Sequence, residues 1–413
     1  MENVTFENRT KKFITPIIAF CLVYFFLAFG DSLISYASPV IIENHLKNTL
    51  LVGFVLASSS VFGLFFDFFS TRIWPNAKYK YFLKLTFITT MAMPILLLIF
   101  PRGIPVFIIG MGLWGAYYEF RGFASYGFIQ KHVSVDKHTV SWATLNAFSA
   151  VAYLVGPLLA TFIIDINENA LLYTALVTFI LAWIIYALAR PMLGDRQSPT
   201  VEESKHGRST LEQLKVIFTL FKSVWHLFIY TFALYMIDSA FWTIGILYTE
   251  KLKDSDKLGN LFIVAYMIPS LFTAYIAPKI PKEWSKKRAS FIAGLVCGII
   301  LICMGALTKT PAVLITVLLM SIFYDISLVL NLSVFEDYIA RLGKFGNDMA
   351  GINQSAISLA YIIGPILWGW VAEIVGYQKA FSLSGVLLAS VCVACFIAVP
   401  RKVKMPQTDL QNI

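Results

Sequence analysis

The sequence predicts an all-α polytopic membrane protein with twelve transmembrane helices in two pseudo-symmetric six-helix bundles. Three observations carry this expectation. Long apolar segments follow one another along the 413 residues, basic residues sort to alternate sides of those segments, and the second half repeats short stretches of the first.

Hydrophobic residues make up 58% of the chain and charged residues 14%, against roughly 25% charged in soluble domains. So little polar surface cannot cover a water-soluble body, which argues against a soluble enzyme or a nucleic-acid binder. Met1 to Lys12 is polar, and the apolar run that follows, 13–42, is too long for a signal-peptide core and lacks a cleavage pattern. It reads as the first span.

Windows of about twenty residues place the spans at 14–36, 50–71, 82–100, 104–129, 140–164, 170–189, 224–248, 259–278, 289–307, 311–335, 349–372 and 377–399. Pro191 to Lys222, the longest polar segment, divides them six and six. The expected organisation is an N-terminal bundle over 1–190, a middle loop over 191–222, a C-terminal bundle over 223–400 and a tail over 401–413. All five cysteines lie inside apolar runs without metal-ligand spacing, as small packing residues would. The five histidines are scattered at loops and span ends, apart from His226, so no metal site is expected.

With an even span count both termini share one side. That side carries 25 of the 33 lysines and arginines, the opposite side 7, and Arg121 lies within a span. The positive-inside rule then puts both termini and the middle loop in the cytoplasm. The same sorting accounts for the formal net charge of +9 through loops facing anionic lipid, without any nucleic acid.

The two halves correspond at an offset near 207. Asp31-Ser32 matches Asp238-Ser239, Gly63-Leu64-Phe65 matches Ser270-Leu271-Phe272, Arg72-Ile73 matches Lys279-Ile280, and Tyr117-Tyr118-Glu119 matches Phe323-Tyr324-Asp325. The longest match sets AYLVGPLL, Ala152 to Leu159, against AYIIGPIL, Ala360 to Leu367. Repeats with an even number of spans share one membrane orientation and are related by an axis along the membrane normal.

At this point the chain resembles the major facilitator superfamily. Six plus six spans, a basic middle loop, and Gly63 with Asp67 followed by Arg72, Lys78 and Lys80 carry the resemblance. Pro75 and Asn76 depart from the family pattern, and Ala274 stands where the second half would repeat the aspartate. The resemblance implies alternating access, with Gly63, Asp67 and Arg72 contributing to a gate. Gly156-Pro157 and Gly364-Pro365 combine close approach with a lost backbone donor and are candidate bending points. They resemble part of the antiporter signature of the fifth span, although the glycine repeat that precedes the pair in that signature is mostly absent.

Charged side chains inside spans need a partner, water or a proton. Asp31, Glu119, Asp238 and Asp325 are therefore the candidates for proton coupling, with Arg121 a counter-charge or an anchor for an anionic group. Glu119 and Arg121 are two positions apart and do not share a helix face, so one of them is expected to reach another helix, Asp31 being a candidate partner. Tyr24, Tyr117, Tyr118, Asn146, Tyr235, Trp242, Tyr324, Asn353 and Gln354 complete a candidate substrate cavity with Arg121, supplying rings and amides.

The expectation is a secondary transporter of a small solute in the cell membrane, working as a monomer among membrane lipids. Protons are its expected coupling ion, and no other cofactor is expected. Multidrug efflux of lipophilic or cationic compounds by antiport is the alternative, and a non-transporting receptor or assembly subunit is a third reading. No phosphate-binding loop or soluble nucleotide domain is present in the sequence, which argues against ATP-driven pumping by this chain.

Overall fold

A computed structural model describes residues 2–74, 77–133, 138–191, 193, 210–272 and 285–399. Pro75 and Asn76, Ala274, the Lys279-Ile280 match, most of the middle segment and the tail 401–413 lie outside the described residues. The described chain is helical. Its first half contains α1 (Glu2–Leu46), α2 (Thr49–Ile73), α3 (Tyr79–Ile99), α4 (Ile104–His132), α5 (His138–Ile166) and α6 (Glu168–Ala189).

In the second half α7 (Thr210–Ala240) leads through one π-helical turn, Phe241–Gly245, into α8 (Ile246–Ser255). A 3-10 turn, Lys257–Leu261, precedes α9 (Phe262–Met267). After these come α10 (Lys286–Cys303), α11 (Thr310–Leu342), α12 (Gly346–Val375) and α13 (Tyr377–Ala398).

Ten of the described helical segments are long and apolar enough to cross a membrane. Of the two remaining expected spans, α4 has ample length, 29 residues, but Glu119, Arg121 and a tyrosine pair interrupt its apolar run. The other, expected at 259–278, is described only as far as Phe272. Two helices outrun their apolar cores. The first continues to Leu46 rather than ending near 36, and α7 already begins at Thr210, inside the segment read from sequence as loop. Hydropathy marks what lies in lipid, whereas a helix can continue into polar surroundings.

Local chemistry sets several ends. Gly103 followed by proline in the first turn opens α4, and the Asn167 side chain accepts from the Asn169 N–H to cap α6. Gly343 and Gly376, with φ of 54° and 85°, follow α11 and α12 in a region that side chains resist. Hydroxyls within spans bond back to the preceding turn, as Thr86 and Thr90 do to Phe82 and Thr86 carbonyls at 2.9 Å, so they add little polarity to the apolar surroundings.

The chain forms two compact units, Met1–Lys47 with Ser58–Glu202, and Asn48–Ala57 with Glu203–Ile413. Within the first, α1 packs on α5 and α6 while α3 packs on α4 and α6. Within the second, α7 packs on α12 and α13 while α10 packs on α11 and α13. The packing scheme therefore repeats along with the sequence.

Candidate functional site

Each unit centres a carboxylate on its first long helix. In the first unit Asp31 is fully buried on α1. Its Oδ2 accepts from the hydroxyl of Tyr117 at 3.1 Å, from Arg121 Nη1 at 3.1 Å, and from the Tyr153 hydroxyl. Its Oδ1 accepts from Tyr118 at 3.0 Å and Ser35 at 3.3 Å. Arg121 donates also to the Tyr117 hydroxyl at 2.7 Å, and its guanidinium carbon lies 5.2, 5.0 and 5.2 Å from the ring centres of Tyr24, Tyr117 and Tyr118. A buried charge is tolerable when it is paired and its lone pairs are filled, and this cage meets both conditions.

In the second unit Asp238 occupies the matching position on α7, partly exposed. Tyr266 donates to Oδ1, Tyr361 to Oδ2, and the Trp242 side chain also hydrogen-bonds the carboxylate. Trp242 belongs to the π-helical turn, a feature that often marks functional positions. The Tyr235 ring lies 6.1 Å from that of Tyr361, and buried Tyr324 lies 5.9 Å from Tyr266. Among the described residues Asp238 forms no ion pair. The position that matches Arg121 is Ser327, fully buried and hydrogen-bonded to Tyr230 at 2.5 Å.

Beside each carboxylate sits a serine against a glycine. A Cβ on Gly156 would run into Ser32, and one on Gly364 into Ser239. These glycines bring α5 onto α1 and α12 onto α7. Pro157 and Pro365, next to them, lie inside helices that continue on both sides.

Other candidate residues fall elsewhere. Glu119 points away from Asp31, toward α2. Its Oε1 lies 3.4 Å from where a Cβ on Gly63 would stand. Gly63 and Gly115 let α2 and α4 approach closely, since a Cβ on Gly115 would come within 2.8 Å of the Gly63 nitrogen. Asp67 is exposed, and Arg72 stacks 3.9 Å over the ring of Phe68. Lys78 and Lys80 line a surface groove with Trp74, Tyr81 and Lys84.

Asp325 is buried near Tyr266 and Tyr324. Asn146 and Gln354 are exposed and Asn353 partly so, and none of the three bonds to either cage carboxylate. Asn146 and Gln354 nonetheless stand seven positions before Tyr153 and Tyr361, on the same helical face about 10 Å away. Among the described residues no three His, Cys, Asp or Glu side chains converge as a metal site.

Sequence profiles settle the family. The profile of the Major Facilitator Superfamily matches residues 20–346 and again 228–412. The chain belongs to the major facilitator superfamily. No match was found among curated protein sequences. Among solved structures, a bacterial homolog of the human lysosomal transporter Spinster, inward-facing and unoccupied, superposes with a TM-score of 0.75 at 8% identity, over 94% of this chain and 97% of that one. The nucleoside transporter NupG gives 0.71 at 13%, over 93% and 98%. A POT family transporter in complex with 5-aminolevulinic acid gives 0.72 at 12%, over 94% and 96%. At such identities the likeness is one of fold. Family and fold together mark this superfamily member as a multi-pass membrane transporter and not an enzyme.

Sequence reasoning missed Ser35, Tyr153, Tyr266 and Tyr361 as cage members. Tyr153 and Tyr361 were in view, since each is the tyrosine of the repeated AYxxGPxL stretch. A tyrosine that recurs within one helical turn of a repeated Gly-Pro was the available signal.

Proposed function

We propose that this superfamily member is a secondary active transporter that moves a small solute by alternating access, with protons as the coupling ion. In this reading it has twelve spans in two six-helix bundles, both termini in the cytoplasm, and works as a monomer in the cell membrane. One observation carries the coupling. Asp238 sits within a membrane-crossing helix, ringed by hydroxyl and indole donors, and among the described residues no cationic side chain pairs with it, so a proton or a positively charged solute is its counter-charge in this reading. Asp31 differs, because Arg121 already balances it.

Alternating access requires a ligand that interacts differently with two states. A carboxylate that exchanges its positive partner between the two faces of a membrane provides such a difference. The structural relatives transport a nucleoside or belong to a transporter family crystallised with an amino acid derivative, which supports a polar small solute as cargo.

The test is solute-driven proton movement in proteoliposomes across a panel of sugars, amines and lipophilic drugs. Wild type is compared with Asp238→Asn and Asp31→Asn. Proton flux that accompanies solute and disappears in Asp238→Asn supports the reading, and its sign relative to the solute gradient separates symport from antiport. Solute uptake without proton movement would rule out the coupling.

A further inference from the structure

We propose that Asp238 and the aromatic side chains around it bind the protonated amine of an organic cation. The proposal rests on the transporter reading and names the class of solute. It comes from comparing the two cages that one chain builds at matching positions.

The first cage already shows how this arrangement holds a cation. Asp31 contacts the guanidinium of Arg121, which lies within 5.2 Å of the ring centres of three tyrosines. A positive charge against aromatic faces gains from the ring quadrupole, more so away from water. The protein therefore supplies its own cation in the first unit, a partly exposed guanidinium set against the carboxylate. Asp31 is fully buried there.

The second unit keeps the carboxylate and the ring of aromatic donors, but among the described residues no cation pairs with Asp238. Ser327 replaces Arg121 and is engaged elsewhere, with Tyr230 at 2.5 Å and with the Ser290 hydroxyl, which donates to the Ser327 carbonyl at 2.7 Å. Tyr266, Tyr361 and Trp242 each bond the Asp238 carboxylate. A carboxylate offers about four acceptor positions, so these three donors leave one for an N–H of a bound amine. Tyr235 and Tyr324 extend the aromatic surface beyond the donors.

Two further differences favour a bound solute over an internal partner. Asp238 is partly exposed where Asp31 is sealed. The π-helical turn Phe241–Gly245 places Trp242 at the carboxylate, whereas α1 runs as unbroken α-helix through the corresponding residues. The preferred ligand is accordingly a primary to tertiary amine carrying an apolar or aromatic body, because a quaternary ammonium has no N–H for the vacant acceptor position.

The full-length protein is purified into lipid nanodiscs and challenged with benzylamine, phenethylamine and N,N-dimethylbenzylamine, each against its neutral alcohol or hydrocarbon analogue. Binding is read by tryptophan fluorescence and by the rise in unfolding temperature. Saturable binding of an amine at least tenfold tighter than its neutral analogue, lost in Asp238→Asn and weakened in Tyr361→Phe, is the expected result. Equal binding of amine and analogue, no amine binding, or binding unchanged in Asp238→Asn overturns the proposal. If Asp238→Asn does not fold, the amine-to-analogue contrast in the wild type decides. Proton-coupled flux of some other solute without amine binding would sink this inference and leave the transporter reading standing. Amine binding without flux of any solute would do the reverse.

Discussion

Arg121 Nη1 lies 3.1 Å from Asp31 Oδ2, across 90 positions of sequence, and the carboxylate it meets is fully buried. Removing either partner strands the other charge in a low-dielectric interior. Asp31→Asn and Arg121→Gln should each cost about 3–5 kcal/mol. The double variant should be more stable than either single one, since two neutral amides leave no unpaired charge. Unfolding midpoints of the three variants in one detergent check this.

Tyr153 and Tyr361 hold matching places, but their carboxylates are not equally supported. Tyr153→Phe leaves Asp31 with a guanidinium, two phenols and Ser35. Tyr361→Phe leaves Asp238 with Tyr266 and Trp242. A hydrogen bond to a charged group contributes about 1.5–3 kcal/mol. The loss at Tyr153 should be nearer the lower end, and the loss at Tyr361 should exceed it where the pH leaves Asp238 ionised, as read by paired thermal unfolding.

Gly156→Ala and Gly364→Ala introduce a Cβ where a serine already stands. Each should destabilise the protein by about 1–3 kcal/mol through overpacking. Gly122 and Gly351 lie in helices with nothing within 4 Å of an added Cβ. Alanine there should be neutral or stabilising by about 0.5–1 kcal/mol. The four variants in one melting experiment separate helix propensity from close approach.

Arg102 ties two connections of the first unit together. Its guanidinium donates to Glu168 Oε2 at 2.7 Å, to Asn169 Oδ1, and to the Leu97 carbonyl at 3.2 Å. Glu168 also accepts from Asn44 at 2.5 Å. Arg102→Lys keeps the charge and loses the fork, so it should cost roughly 1 kcal/mol. Faster proteolysis at the α3–α4 connection in the variant is the readout.

Much of the fold was legible because lipid imposes a simple rule, long apolar runs, and because the chain states its architecture twice. The same rule hid the polar ends of helices, which is why α7 begins at Thr210 rather than near 224. Within the site, Asp31 and Arg121 stood out as charges in apolar surroundings. Their partners did not, because a tyrosine in an apolar helix looks alike whether it faces a carboxylate or a neighbouring leucine. Spacing along α4 correctly kept Glu119 and Arg121 off a common face. It could not say which of them would turn to α1, since helix rotation is set by tertiary packing. In the structure α2 and α4 close on each other at Gly63 and Gly115, and the Glu119 carboxylate lies beside Gly63.

The paired contacts of Ser32 with Gly156 and Ser239 with Gly364 also constrain how this chain can drift over generations. At each contact two positions share one small volume, so a substitution tolerated at either depends on what stands at the other. Mutations in such neighbours are not additive. Among descendants of this sequence the two pairs should vary as units, each within its own half, and a change in one half should place no demand on the other.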